Sequence, residues 1–279
     1  MSVASERMGL GSKVSIYAVL TLVGIAMGAP FLYMVSTAFK APYEVTTVPP
    51  TWIPAEPQWR NFVDIWTLFP FGRFLLNTLF VTLSVTLGQL VTSSLGAYAF
   101  ARLEFPGRDT LFVGYLGTMM VPFSIILIPL YYMMKEFHWL DTYQAQIIPW
   151  LFSAYGTFLL RQFFATIPME LEEAAIIDGA SRLRILTTLI VPLAKPALAT
   201  LATFTFLSTW NSFLWPLIVI NSQDKYVISM GLNFLQGTYF TEVHLVMAAV
   251  TVTVLPTVIL FLFGQRYFIE SVAITGIKG

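Results

Sequence analysis

Few residues in this chain could do covalent or metal chemistry. There is no cysteine, and the two histidines, His138 and His244, have no second metal-ligating side chain at helical spacing. Both read as residues at the ends of membrane segments. None of the lysines follows a glycine, so the GxxxxGK[ST] loop that cradles nucleotide phosphates is not in the sequence and ATP hydrolysis by this chain alone is not expected. Binding chemistry is better represented. The stretch Thr209 to Leu217, TWNSFLWPL, places Trp210, Asn211, Trp215 and Pro216 within two turns: two indole faces, an amide and a helix break. Aromatic faces stack on the apolar faces of sugar rings and amides pair with hydroxyls, so a path for a neutral polyol fits. The same residue types serve interface anchoring and helix packing equally well. Asn77 and Gln89 lie in another apolar stretch, with Thr92, Ser93, Ser94 and Gly96. Uncharged polar groups in a membrane helix face other helices or a water-filled path, because lipid leaves them unsatisfied.

The elements that must position these groups are membrane helices. The chain of 279 residues is 57% hydrophobic and 11% charged, with a mean hydropathy of +0.74, whereas soluble domains carry about 25% charged residues. Charged residues are absent between Lys13 and Lys40, Arg73 and Arg102, Asp109 and Lys135, Asp141 and Arg161, Lys195 and Asp224, and Glu242 and Arg266. The shortest of these windows holds 19 residues, close to the ~20 that cross a hydrocarbon core of about 30 Å. A charge at mid-bilayer costs about 2.5 to 3.5 kcal/mol on the insertion scale, so the repeated absence predicts six transmembrane helices in an all-α integral membrane protein. The first apolar run continues to Val35, too long for the core of a cleaved signal peptide, and is expected to remain as an anchor.

Basic residues set the orientation. Arg7, Lys13, Arg102, Arg108, Arg161, Arg182, Arg184, Lys195, Arg266 and Lys278 fall on the side of the N-terminus; Lys40, Arg60, Arg73, Lys135 and Lys225 fall on the other. Ten against five places both termini in the cytoplasm by the positive-inside rule. Between Lys40 and Phe71, six prolines and Trp52, Trp59 and Trp66 predict an external loop ordered by aromatic packing. Pro122 and Pro129 predict kinks in the third span. Residues 226–241 are uncharged, too short and too polar to span, and are expected at the outer surface or dipping inward.

Charges of both signs crowd into one region, Glu170 to Pro196, ELEEAAIIDGASRLRILTTLIVPLAKP. Such a segment is expected to face water or a partner. Pro168 suits a first helical position, and Glu170, Glu172 and Glu173 sit where the helix dipole favours carboxylates. Gly179 supplies a stop, and Ser181 can cap a second helix running toward Pro192. Ala174 and Ala175 allow another protein surface to approach the backbone closely. A solvated amphipathic connector would have the same composition.

EAAIIDGA followed by VPLAKP resembles the EAA motif of the membrane subunits of ABC importers: Glu173, Ala174, Ala175 and Gly179 match, and Leu189, Val191 and Pro192 stand at the positions of that family's Ile, Leu and Pro. The span-five stretch and the tail QRYFIESVAITGIKG are similar to those of carbohydrate permeases of the maltose-permease G type. The resemblance implies a type I ABC importer fold with an N-terminal helix and proline-rich loop over 1–70, a transmembrane core over 71–266 and a cytoplasmic tail over 267–279. It further implies that Glu170, Glu172, Glu173, Ala174, Ala175, Asp178, Gly179, Ala180 and Ser181 dock on an ATPase. Asn77, Gln89, Trp210, Asn211 and Trp215 are the expected pathway residues. The implied partners are a second permease chain, two ATPase subunits that hold ATP and magnesium, and an extracytoplasmic solute-binding protein reached by the external loop near residues 226–241. The implied location is a bacterial inner membrane, and no cofactor is expected on this chain itself. The resemblance implies a carbohydrate importer; the alternative within the same class is an importer of glycerol phosphate or a glycerophosphodiester, a peptide or an amino acid. A secondary transporter would need intramembrane charges for ion coupling, which the six windows lack. An intramembrane enzyme would need a Ser/His or paired-Asp constellation, also lacking there.

Overall fold

The structure, a computed structural model, describes residues 10–67, 70–238 and 242–275. Among the described residues every regular element is helical. They form two compact units, residues 1–70 with 234–253, and residues 71–233 with 254–279. The Gly276–Gly279 end of the tail and Arg7 lie outside the described residues.

In the first unit, α1 (Leu10–Ala38) is apolar all round, and no residue in the most apolar part of it is buried, as befits a helix whose solvent is lipid. The proline-rich stretch that follows is held by contacts rather than by regular structure. Phe39 packs edge-on against Trp59 at 4.8 Å, and Tyr33 against Trp52 at 5.3 Å. Prolines remove backbone donors, so side chains take up the remaining backbone groups. Asn61, on α2 (Arg60–Thr67), donates to the carbonyls of Ala38 and Lys40, each at 2.9 Å. Glu44 accepts from the Ala55 amide at 2.8 Å. The fully buried Lys40 ammonium donates to the Thr51 carbonyl at 2.5 Å and lies 4.5 Å from the centre of the Tyr33 ring. His244, in the same unit, is buried with its Nε2 3.3 Å from the Glu242 carboxylate.

The second unit is built on α3 (Phe71–Arg102), which has 32 residues and no internal proline. Around it run α4 (Arg108–Gly117), α5 (Phe123–Glu136), α6 (Ala154–Phe164), α7 (Met169–Ile177), α8 (Lys195–Trp210) and α9 (Leu214–Val219). The last two helices, α10 (Ile228–Thr238) and α11 (Val243–Thr275), give residues 234–253 to the first unit and the remainder to the second. Helix α6 meets α3 through a glycine: a Cβ at Gly156 would lie 2.6 Å from Ser93 Oγ and 3.1 Å from a Leu201 methyl. Close approach through small residues is how apolar helices gain packing energy where lipid supplies no hydrophobic drive. Ala97, Tyr98, Leu160, Phe164 and Leu201 form the core of this contact.

Three of the six predicted windows contain a helix long and apolar enough to cross a membrane, at Gly11–Ala38, Phe71–Arg102 and Val243–Gln265. The other three are interrupted. Arg108–Met120 and Phe123–Glu136 meet at 98°, because Pro122 forces its neighbour Val121 out of the helical region to φ −82°, ψ 114°. Pro129, by contrast, is accommodated inside α5. Arg182–Leu193 and Lys195–Trp210 meet at 82° around Ala194. The window from Asp141 to Arg161 breaks after Trp150, between a short helix (Tyr143–Ile147) with its following turn and α6. Free carbonyls at such a break need donors in an apolar setting. Gln89 Nε2 reaches the Trp150 carbonyl at 2.8 Å, and Thr92 Oγ1 the Leu151 carbonyl at 2.5 Å.

Candidate functional site

Helices α3, α8 and α9, with the broken segment before α6, enclose a cavity of about 460 Å³. Its polar side chains are hydroxyls and amides, among them Thr78, Thr82, Gln89, Gln146, Thr205 and Ser208, and among the described residues none that lines it is charged. Its apolar wall is largely aromatic, from Phe123, Trp150, Tyr155, Phe204, Phe213 and Trp215. The end of α8 shapes one side. Pro216 lacks an N–H and its ring crowds the carbonyl four residues earlier, so the helix cannot run through Ser212 and restarts as α9. That interruption puts Ser212 and Phe213 on the cavity wall.

Of the five expected pathway residues, two line this space. The Gln89 amide donates to Trp150 and accepts from Thr205 Oγ1 at 2.9 Å. Trp215 stands edge-on to Trp150 at 6.0 Å, and its Nε1 donates to the Ala145 carbonyl at 2.8 Å. The other three are elsewhere, each for a local reason. Asn77 is a buried strut: its Nδ2 donates to the Asp224 and Tyr226 carbonyls at 2.9 Å, and its Oδ1 accepts from Tyr143 at 2.8 Å. Trp210 is buried in a parallel stack with Phe206 at 5.3 Å. Asn211 folds back onto the Leu207 carbonyl at 2.8 Å.

The sequence reading missed the hydroxyl wall. Thr205, Ser208, Thr209 and Ser212 recur at the i, i+3, i+4, i+7 spacing of one helix face within an apolar stretch, a signal that periodicity could have supplied.

At the Arg102 end of α3 lies the charged segment. Helix α7 starts after Pro168, which is the cap rather than the first helical residue. Gly179 ends it with φ +79°. The Ala180 amide donates to Ala175 and the Gly179 amide to Ile176, both at 2.9 Å, so the stop is a Schellman motif. Ser181 accepts from the Arg184 amide at 3.4 Å and caps the next turn. A π-helical turn, Leu186–Ile190, precedes Pro192, where the missing N–H and the ring's bulk widen the helix.

Glu170, Glu173, Ala174, Asp178, Gly179 and Ser181 are exposed, and Ala175 and Ala180 are half-buried. Glu172 departs from the expected docking face. It is fully buried, accepting at Oε1 from the Tyr98 hydroxyl at 2.6 Å and from Arg182 at 2.8 Å. Two large apolar residues that the sequence reading passed over, Ile177 and Leu183, are 86% and 63% exposed beside the carboxylates. An apolar knob ringed by charge is the make-up of a protein-docking surface rather than of a lipid-facing one.

A bent-helix core around an uncharged polar cavity, with a charged helical elbow at one end, defines a membrane permease. Residues 92–274 match the family described as binding-protein-dependent transport system inner membrane component, and the chain belongs to that family. It is 36% identical over 236 residues, 82% of this chain and 84% of the relative, to the sn-glycerol-3-phosphate transport system permease protein UgpE of Pectobacterium atrosepticum. It is 35% identical over 220 residues, 78% of this chain and 79% of the relative, to the arabinooligosaccharides transport system permease protein AraQ of Halalkalibacterium halodurans. These relatives are transport permeases, not enzymes. A crystal structure of a bacterial ABC transporter involved in the import of the acidic polysaccharide alginate includes a chain with the same fold, at a TM-score of 0.83 and 24% identity, covering 94% of this chain and 99% of that one. The fold is that of type I importers.

Proposed function

We propose that this chain is one permease subunit of an ATP-driven, binding-protein-dependent importer of neutral carbohydrate in a bacterial inner membrane. It crosses the membrane six times, with both termini cytoplasmic, and supplies half of the pathway; a second permease chain supplies the other half. Two separate ATPase subunits hold ATP and magnesium. They dock on α7 and the turn that follows it, at Glu170, Glu173, Ala174, Ala175, Asp178, Gly179, Ala180 and Ser181. Closure of the ATPases pulls α7, and the spans rock to open the cavity to each side in turn. An extracytoplasmic solute-binding protein delivers the solute at the outer end.

The observation that carries the choice of solute is the cavity wall: hydroxyls, amides and aromatic rings, with no charged residue among them. Aromatic faces and neutral hydrogen-bonding groups complement sugar rings and hydroxyls. A glycerol phosphate importer is the second reading, favoured by the 36% identity to a permease of that name. A phosphate dianion would need a cation facing it, and under that reading the partner permease provides it.

The test is ATPase activity of the co-purified complex in lipid nanodiscs, with its binding protein and a panel of neutral oligosaccharides and sn-glycerol 3-phosphate. Stimulation by a neutral oligosaccharide is expected. In a Gly179→Trp variant, where a bulky side chain is forced onto a left-handed backbone at the docking face, the ATPase should no longer co-purify. Stimulation by glycerol phosphate alone selects the second reading. A lone wild-type chain that moves solute down its gradient without an ATPase sinks both.

A further inference from the structure

We propose that Glu172, Tyr98 and Arg102 form a clasp that carries movement of α7 into the cavity helix α3, making Glu172 a positioning residue for transport rather than a docking residue. The inference rests on the importer reading above and adds the internal joint through which the force passes.

Glu172 and Glu173 are neighbours on α7, yet only Glu173 faces outward; the Glu172 side chain is 1% exposed. A buried carboxylate is strongly disfavoured unless charge and hydrogen bonds hold it. Glu172 takes both from the end of α3. Tyr98, 74 positions earlier in the chain, donates its hydroxyl to Oε1 at 2.6 Å. Arg102, one turn further along α3, lies with its Nε 3.7 Å from Oε2. Arg182, beyond the α7 stop, closes the other side at 2.8 Å. Arg102 is itself anchored, donating through Nη2 to the carbonyls of Phe164 and Ile167, both at 2.6 Å. Those carbonyls sit on the stretch leading from α6 into α7. The four side chains therefore tie the docking helix, its entry and its exit to one end of α3.

Arg102 Nε and Glu172 Oε2 are both buried, and neither has a hydrogen-bond partner among the described residues, although they face each other. Charge-assisted N–H···O bonds close at about 2.7 to 2.9 Å, so at 3.7 Å the two groups form an ion pair without a direct hydrogen bond.

Helix α3 is suited to pass the motion on. It is continuous from Phe71 to Arg102, and Gln89 on the cavity wall is nine residues from Tyr98, about 14 Å at 1.5 Å per residue. Gln89 and Thr92 hold the broken segment before α6, and Gln89 also holds α8 through Thr205. Movement entering at Tyr98 thus reaches two other cavity walls through hydrogen bonds.

The experiment uses the whole complex in nanodiscs. This chain has no cysteine, so Ser208→Cys gives its cavity a single thiol. Labelling by a charged maleimide is compared without nucleotide and with Mg-ATP and vanadate, alongside basal ATPase activity. In the reporter complex, nucleotide should change the labelling rate. Adding Glu172→Gln, or Tyr98→Phe, which removes only the hydroxyl, should leave hydrolysis within about twofold while reducing the nucleotide-dependent change in labelling by about threefold or more. A variant that hydrolyses ATP and still shows the full labelling change overturns the clasp. If Glu172→Gln fails to assemble with the ATPase, Tyr98→Phe decides by the same criterion. Absence of ATPase activity in the reporter complex itself overturns the importer reading, and the clasp with it.

Discussion

Thr205 on α8 donates to Gln89 Oε1 on α3 across 2.9 Å, and Gln89 Nε2 donates in turn to the Trp150 carbonyl at 2.8 Å. One amide joins three segments around the cavity. Thr205→Val keeps the shape and removes the donor, and should cost about 0.5–1.5 kcal/mol. Gln89→Leu also strands the Trp150 carbonyl at a helix break and should cost about 1–3 kcal/mol. Unfolding of the two single variants and the double variant in detergent completes the cycle. Additive losses would mean that the two side chains are not coupled.

Trp215 combines an aromatic face on the cavity with a buried indole hydrogen bond to Ala145. Trp215→Phe retains a face and loses the bond, so it should lower stability by about 1–2 kcal/mol while substrate stimulation of the ATPase persists. Trp215→Ala removes both and should abolish stimulation. Equal stimulation in the two variants would show that the ring face does not contact solute.

At Gly156 the contact of α6 with α3 leaves no room for a methyl group: Ser93 is fully buried, Leu201 is 1% exposed, and both would meet it. Gly156→Ala should destabilise the chain by about 1–3 kcal/mol. Ser93→Ala in the same chain should recover part of the loss, because Ser93 Oγ has no hydrogen-bond partner among the described residues. A thermal shift assay on the purified complex checks both, and no recovery would place the strain elsewhere.

Asp141 ties the turn before Tyr143 to the stretch after α9. Burial alone would push its carboxyl up. Hydrogen bonds from the Ser222 hydroxyl and amide and the Asn221 amide, with Lys225 at 3.4 Å, outweigh that and hold it at about 2. The folded value lies below the ordinary 3.8, so the stabilisation is fully present above about pH 4 and is lost as the pH falls toward 2. The side chain is 28% exposed, which limits the contribution to about 1–2 kcal/mol. Wild type and Asp141→Asn should differ in melting temperature at neutral pH, and the gap should narrow on acidification below about pH 4. A gap independent of pH would remove Asp141 as its origin.

The features legible in the sequence were local or additive ones. Hydropathy summed over a window marks apolar segments because lipid penalises each charge independently of its neighbours. The Gly179 stop and the break at Pro122 follow from one residue's own backbone limits, and the Ser181 cap from a side chain that reaches an amide three residues on. The break after α8 likewise follows from Pro216, whereas the interruption before α6 was harder to read. The carbonyls freed before α6 are satisfied by residues far away in the chain, Gln89 and Thr92, and no window contains both partners.

Composition and spacing by themselves determined that the chain is a helical membrane protein with a charged elbow between apolar spans. Which polar side chains do which work was decided by the tertiary structure. Asn77 and Gln89 are both amides on α3, yet one braces the Asp224–Tyr226 stretch and the other lines the cavity. Glu172 and Glu173 are adjacent and chemically alike, but one helical step turns the first toward Tyr98 and Arg102 and the second to the outside. Burial of a polar group depends on whether a partner waits at the place where it is buried, and here the partners come from some 70 residues away.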